Sequence, residues 1–270
     1  MKTISSRQNP LIKQLAKLAS SSREVKLTGM TVLDGDHLVR AFAESGGTAA
    51  YLVATDPDGL STENRDLFAS VRCDERIIVP KGLLNSLSDL ATPSGLLAVI
   101  RVPEATPFPE HPESCLLLEA VQDPGNLGTI LRTAVAAGIR HIFLSSQCAL
   151  VWSPKTLRAG MGAHFHLSLH EDAHLSEIAT RTGLTAAATD PRAPTSIYET
   201  DLRRAVAWIF GSEGRGISPE LLDSAALRLS VPMSGPIESL NVSSTAAICL
   251  FEQSRQYRAQ NSSPTTRKSQ

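Results

Sequence analysis

Three polar stretches in the second half of this 270-residue chain stand out by residue type: EAVQDPGNLGTILRTA (119–134), FGSEGRGIS (210–218) and VPMSGPIESLNVSSTAA (231–247). Between them they supply one fixed cation, Arg132, one acid, Glu213, the small polar groups Asn126, Ser239 and Asn241, and several glycines that let a backbone approach a ligand closely. No G-x-S-x-G elbow marks an activated serine, so hydrolysis through a covalent enzyme intermediate has no nucleophile to start from. The set suits holding two bound molecules in line for direct group transfer. Plainer readings stand beside this one. Arg132 can be a helix-surface arginine paired with Glu213, and Ser239 or Asn241 can simply cap the helix that follows.

Common nucleotide motifs do not account for these stretches. Gly211-Ser-Glu-Gly214-Arg-Gly216 is G-x-x-G-x-G and comes late in the chain, without an acid about 20 residues on to hold a ribose. No Walker sequence occurs. His164, His166, His170 and His174 invite a metal reading, but only His164 and His166 would share a face of the expected strand 164–169, and no carboxylate or cysteine completes a set. No metal is expected. The four cysteines, Cys73, Cys115, Cys148 and Cys249, are scattered without a C-x-x-C pair, as free thiols in a reducing compartment would be.

The elements that must carry the polar stretches alternate. CLLLEAV (115–121), HIFLSS (141–146), HFHLSL (164–169), LTAAATD (184–190), AVAWIFG (205–211) and LRLSV (227–231) read as strands. Helices are expected after Asp123, over 173–183 and after Asn241, with SPKTLRAGMGA (153–163) a short helix or polar loop. Apolar strands alternating with helices indicate a mostly parallel sheet covered on both faces. In such sheets ligands bind beyond the carboxyl ends of the strands, where the three polar stretches fall.

The first hundred residues read as a smaller α/β domain. Asn9-Pro10 starts a helix with Leu11, Ile12, Leu15 and Leu18 at helical spacing, and Lys13 and Lys17 lie four apart on another face. A helix over 36–45 and strands at 50–55, 76–80 and 95–102 follow, with a short helix after Lys81. PEATPFPEHPES is rich in proline and acid and marks a linker at 103–113 between a domain at 1–102 and one at 114–258, with a polar, disordered tail at 259–270. Charge is uneven: residues 1–30 carry a net +5 and residues 253–270 a net +4, while the remainder carries −10. Basic ends suit a polyanion, although solvated termini explain them almost as well. With 42% hydrophobic residues, no membrane-length apolar run and no signal-peptide core in MKTISSRQNP, a cytoplasmic globular protein is expected.

PGNLGTILRTA, GSEGRGIS and VPMSGPIESLNVSS, in this order and spacing, resemble the three motifs of the SpoU/TrmH family of RNA 2′-O-ribose methyltransferases within the SPOUT superfamily. The resemblance covers residues 115 to about 257 in detail; SRQNPLIKQLAKL and LDGDHLVRAFAESG more loosely resemble the substrate-binding domain that many members carry. It implies an α/β fold: a parallel-sheet domain with a deep trefoil knot, preceded by a small ribosomal-protein-like RNA-binding domain. It also implies S-adenosylmethionine as cofactor and a homodimer formed through the C-terminal domain. By residue, it gives Arg132 the place beside the target ribose, Asn126, Glu213, Ser239 and Asn241 the other polar motif positions, and cofactor contacts to Gly211, Val231, Met233 and Leu240, with Thr189 a further lining element. Arg7, Lys13 and Lys17 are the expected RNA contacts. Ser212 where many members have Asn, Ala159 where they often have Ser, and the polar run Ser243-Ser244-Thr245 depart from the pattern and bear on RNA specificity.

The expected function is methyl transfer to a ribose 2′-hydroxyl of structured RNA, with 23S ribosomal RNA favoured. Transfer RNA is the enzymatic alternative, and a catalytically silent RNA-binding or ribosome assembly factor the alternative of another class. Aromatic residues are only 4% of the chain, so phosphate and shape contacts must outweigh base stacking in recognition.

Overall fold

A computed structural model describes residues 1–109, 113–181 and 183–261. The tail at 262–270 and the middle of the expected linker, 110–112, lie outside the described residues. The chain forms two compact units, one made of Met1–Glu104 with Ala149–His166 and the other of Ala105–Cys148 with Leu167–Gln270.

In the first unit, β1 (Lys2–Thr3) is followed by α1 (Pro10–Ser20), α2 (Ser22–Thr28), β2 (Met30–Asp34), α3 (Asp36–Glu44), β3 (Ala49–Ala54), α4 (Thr62–Ser70), β4 (Cys73–Ile78), α5 (Lys81–Asn85) and β5 (Leu96–Arg101). The five strands form one sheet in the order β1-β4-β3-β5-β2, with β5 antiparallel to both of its neighbours. Asn9 starts α1 as its composition suggests: Pro10 occupies the first turn and the Asn9 side chain accepts from Leu11 N at 2.9 Å. Ile12, Leu15 and Leu18 are buried while Lys13 and Lys17 are exposed, so the helix presents an apolar and a basic face.

The second unit opens with β6 (Cys115–Leu118), α6 (Pro124–Ala136) and β7 (His141–Leu144). The chain then returns to the first unit for α7 (Pro154–Gly160) and a 3-10 turn (Ala163–His166). There the Thr31 hydroxyl donates to Trp152 O at 2.7 Å, Phe42 and Phe165 meet at 5.3 Å, and Arg158 pairs with Asp89 at 3.2 Å. Gly162, at φ +85°, sits where a Cβ would come within 2.6 Å of the Ala41 Cβ, so the close approach needs glycine. Trp152 is 3% exposed in this packing.

The strand expected over 164–169 is corrected here. Residues 163–166 are a 3-10 turn and only Ser168–His170 pair as a strand. The alternation in HFHLSL has another cause: His164 is buried to 1% exposure and donates from Nε2 to Val151 O at 2.9 Å, while its Nδ1 has no partner among the described residues. That pattern requires the neutral ring, and burial pushes its pKa down from 6.5 to about 4. Unfolded, the imidazole takes a proton below 6.5; folded, only below about 4. Stability is therefore complete above 6.5 and falls as pH drops through that window, by about 3 kcal/mol in all. His141 and His170 in the second unit shift in the same direction through burial. A His164→Gln variant is expected to show a visibly flatter dependence of urea midpoint on pH between 7 and 4.5; a profile as steep as wild type would remove His164 as a source.

The second unit continues with β8 (Ser168–His170), α8 (Leu175–Arg181), β9 (Thr185–Thr189), β10 (Val206–Phe210), α9 (Pro219–Asp223), β11 (Leu227–Leu229) and α10 (Val242–Asn261). Its six strands run in the order β11-β9-β10-β6-β7-β8 and every pairing is parallel. Leu116, Leu117, Trp208, Ile209 and Phe210 are fully buried in its centre, and Trp208 Nε1 donates to Gln253 of α10 at 2.7 Å. Because β9, β10 and β11 are neighbours, the loops that leave their carboxyl ends must gather at one edge, with the start of α6 beside them from the adjoining β6. Among the described residues, no helix is long and apolar enough to cross a membrane.

Candidate active site

The loop after β10 folds back on itself. Ser212 N donates to Gly216 O at 3.1 Å and Gly216 N to Ser212 O at 3.0 Å, with Gly216 in the left-handed region at φ +68°. A Cβ on Gly211 would fall 2.3 Å from the Gly216 carbonyl, so the hairpin closes only around glycine. Ser212, where an asparagine was the expected type, accepts from Arg215 N at 3.2 Å and stabilises the turn.

Asp123 caps α6 by accepting from Asn126 N at 2.7 Å, which fixes Asn126 in the first turn. From there Asn126 Nδ2 donates to Glu213 Oε1 at 2.8 Å, and Asn126 Oδ1 accepts from Asn241 Nδ2 at 2.9 Å. Asn241 Oδ1 takes two donors in turn, Ser243 N at 2.8 Å and the Ser243 hydroxyl at 2.6 Å. A backbone N–H can only donate, so it fixes which way the Asn241 amide faces, and that amide fixes Asn126. The chain of hydrogen bonds runs in one direction, from Ser243 through both amides to the Glu213 carboxylate. Asn241 thus caps α10, as its plainer reading holds, and also reaches Asn126.

A cleft of about 670 Å³ opens at the carboxyl ends of β9, β10 and β11. Gly211, Val231, Met233, Leu240 and Thr189 all line it, together with Ser239 and Glu213. Asn126 and Asn241 join this cleft through Glu213. Arg132 stands outside the lining, exposed on α6 and without a hydrogen bond or ion pair among the described residues. The alternative pairing of Arg132 with Glu213 is therefore not formed; Asn126 holds that carboxylate. Arg7, Lys13 and Lys17 belong to the first unit and are exposed there. Among the described residues no cluster of three or more His, Cys, Asp or Glu is arranged to hold a metal ion.

Several residues of this site have no role assigned from sequence: Arg192, Arg215 and Glu238 on the cleft lining, and Glu119 and Ser243 behind it. Glu119, one residue past β6, accepts from Ser218 N and Ser218 Oγ, both at 2.7 Å. Ser243 orients the amide chain. Both lie inside the stretches singled out above, but their partners could not be read from local spacing.

Residues 113–251 match the SpoU rRNA Methylase family, and residues 9–98 match the MRM3-like substrate binding domain. The chain belongs to the SpoU rRNA methylase family. It is 33% identical over 262 residues to an uncharacterized tRNA/rRNA methyltransferase of Synechocystis, covering 94% of each chain. It is 31% identical over 254 residues to the 23S rRNA (guanosine(2553)-2′-O)-methyltransferase RlmP of Bacillus subtilis, covering 93% of this chain and 98% of that one. The SpoU methyltransferase AviRb of Streptomyces viridochromogenes, solved in complex with AdoMet, shares the fold at a TM-score of 0.85 and 24% identity, over 93% of this chain and 99% of that one. As a SpoU methylase with an N-terminal substrate-binding domain, the chain has the expected α/β class: a parallel sheet carrying the motifs and a second sheet ahead of it.

Proposed function

We propose that this SpoU methylase transfers a methyl group from S-adenosylmethionine to a ribose 2′-hydroxyl of 23S ribosomal RNA in the cytoplasm. The observation that carries the reading is the meeting of three strand-end loops around one cleft with the Ser243–Asn241–Asn126–Glu213 chain at its edge. The donor set fits the cofactor. Glu213 and Glu238 on the lining favour a sulfonium cation, Arg215 suits a carboxylate, and main chain at Gly211, Val231 and Leu240 offers the N–H and C=O groups that read a base, while Asp190 and Arg192 pair with each other at 3.6 Å. Bound there, S-adenosylmethionine supplies an electrophilic methyl.

The chain's own residues supply the rest. A ribose hydroxyl is a poor nucleophile at neutral pH, so its oxygen must be held in line and its developing charge stabilised. Arg132, always charged and with no side-chain partner among the described residues, binds the RNA backbone and stabilises the negative charge that develops on the 2′-oxygen as its proton leaves. Asn126, Glu213, Ser239 and Asn241 fix the geometry. Lys13, Lys17 and Arg7 on the basic face of α1 and just before it take phosphates. Replacing Lys13 and Lys17 together by Ala is expected to weaken RNA binding and lower the slope of log K against log salt by about 1.5 to 2, with cofactor affinity unchanged. An unchanged slope would take α1 out of the RNA-binding surface. A homodimer through the second unit completes the proposal; Phe251, 46% exposed on α10, is the apolar side chain expected in that contact, and Phe251→Glu should shift the sedimentation coefficient to that of a monomer.

The test is methyl transfer from labelled S-adenosylmethionine to unmodified ribosomal and transfer RNA, fractionated by size. Label in 23S RNA, with the bond next to it resistant to alkali, is the expected result. Label confined to transfer RNA would move the substrate, and cofactor binding without transfer to any RNA would favour the silent-factor reading.

A further inference from the structure

Glu119 holds the loop that lines the cofactor cleft at both of its ends. Its main-chain N–H donates to Phe210 O at 2.9 Å, the last residue of β10 before the loop begins. Its carboxylate accepts from Ser218 N and Ser218 Oγ at 2.7 Å each, where the loop ends and α9 starts. Ser218 is at the same time the cap of α9, its hydroxyl accepting from Leu221 N. Glu119 is itself anchored: Ala120 after it adopts φ +52° and donates to the Ser145 hydroxyl at 3.0 Å. Residues 211–217 are thus a closed loop tied at its start and finish by one residue and at its tip by the Asn126–Glu213 bond.

We infer that Glu119 is a positioning residue for cofactor binding: it touches neither reactant but sets the path of residues 211–217, and with it the wall of the cleft. This rests on the cleft being the S-adenosylmethionine site. Two charge-assisted bonds at Ser218 hold the exit of a loop whose turn is kept by the Ser212–Gly216 hairpin and the Arg215 N bond to Ser212 Oγ, and whose tip is kept by Asn126. Losing them releases the loop into many paths, of which few match the bound form, and the apparent affinity falls in proportion. The role is one of hydrogen-bond geometry. A glutamine can accept from Ser218 N with its Oε1 and donate to Ser218 Oγ with its amide, whereas an alanine can do neither.

Two readouts on the full-length protein test this. Hydrogen–deuterium exchange of the peptide spanning 211–218, without any ligand, is expected to speed up about tenfold or more in Glu119→Ala and to stay near wild type in Glu119→Gln. Calorimetry with S-adenosylmethionine is expected to show binding about tenfold weaker in Glu119→Ala, largely recovered in Glu119→Gln. Unchanged exchange in the alanine variant, or a glutamine variant as weak as alanine, overturns the inference. If Glu119→Ala fails to fold, Ser218→Ala removes one of the two bonds and must still raise exchange in this peptide; no rise there overturns it equally. A wild-type protein that does not bind S-adenosylmethionine would sink the reading of the cleft, while the exchange result would still decide the hold of Glu119 on the loop.

Discussion

Replacing Arg132 with alanine is expected to lower methyl transfer by about a hundredfold or more while leaving S-adenosylmethionine affinity within about twofold. The expectation is sharp because Arg132 has no structural work to lose. It is exposed on α6 and makes no hydrogen bond or ion pair among the described residues, so the helix, its Asp123 cap and the Asn126–Glu213 bond survive its removal. The loss then reads on the RNA side of the reaction. Arg132→Lys is expected to recover only part of the rate, since an ammonium offers a point charge where a guanidinium offers a planar fork to phosphate and ribose. Single-turnover transfer at saturating cofactor measures both variants. A fully active alanine variant would place the stabilising cation elsewhere and leave Arg132 a surface residue.

Gly211→Ala should act on the other reactant. The added methyl would meet the Gly216 carbonyl at 2.3 Å and Ile217 N at 2.4 Å, backbone atoms that cannot swing aside as a flexible side chain would. The hairpin from Ser212 to Gly216 must open, and with it the wall formed by Glu213 and its neighbours. Cofactor binding is expected to weaken by about a hundredfold, at a stability cost of about 1–3 kcal/mol. Gly59→Ala, where a Cβ meets nothing within 4 Å, is the matched control expected to change neither. Calorimetry that finds Gly211→Ala binding like wild type would show that the loop can be rebuilt and does not shape the site.

What could be read from sequence follows the range of the signals. Helix α1 was legible because cap, proline and apolar spacing lie within ten residues of one another. β2 escaped notice: MTVLD is a short apolar run without alternation, and its strand character comes from pairing with Leu97–Arg101, far along the chain. Residues 164–169 misled because His164, a polar residue on a period-two pattern, is buried by Trp152 and Val151 in a turn that periodicity cannot see. In the site, the second and third motifs mark loops that line one cleft, the first meets it through the Asn126–Glu213 bond, and the five residues that resemblance gives to a cofactor, Gly211, Val231, Met233, Leu240 and Thr189, lie on its lining. Their partners were not legible. Glu213 invited a pairing with Arg132 by charge, yet its partner is a neutral amide from α6, and Glu119 finds Ser218 across 99 residues of chain.

The return of residues 149–166 to the first unit means that the chain passes between the units three times, so no single cut separates them. Deleting residues 1–104 would take Phe42 away from Phe165 and the Thr31 hydroxyl away from the Trp152 carbonyl. The same arrangement places one of the two tryptophans in each unit, Trp152 in the first and Trp208 in the second. Each indole is buried, at 3% and 0% exposure, and has distinct neighbours. The protein therefore carries its own pair of optical reporters. In Trp208→Phe the emission follows melting of the substrate-binding half alone, in Trp152→Phe that of the catalytic half, and the gap between the two midpoints measures how tightly their unfolding is coupled.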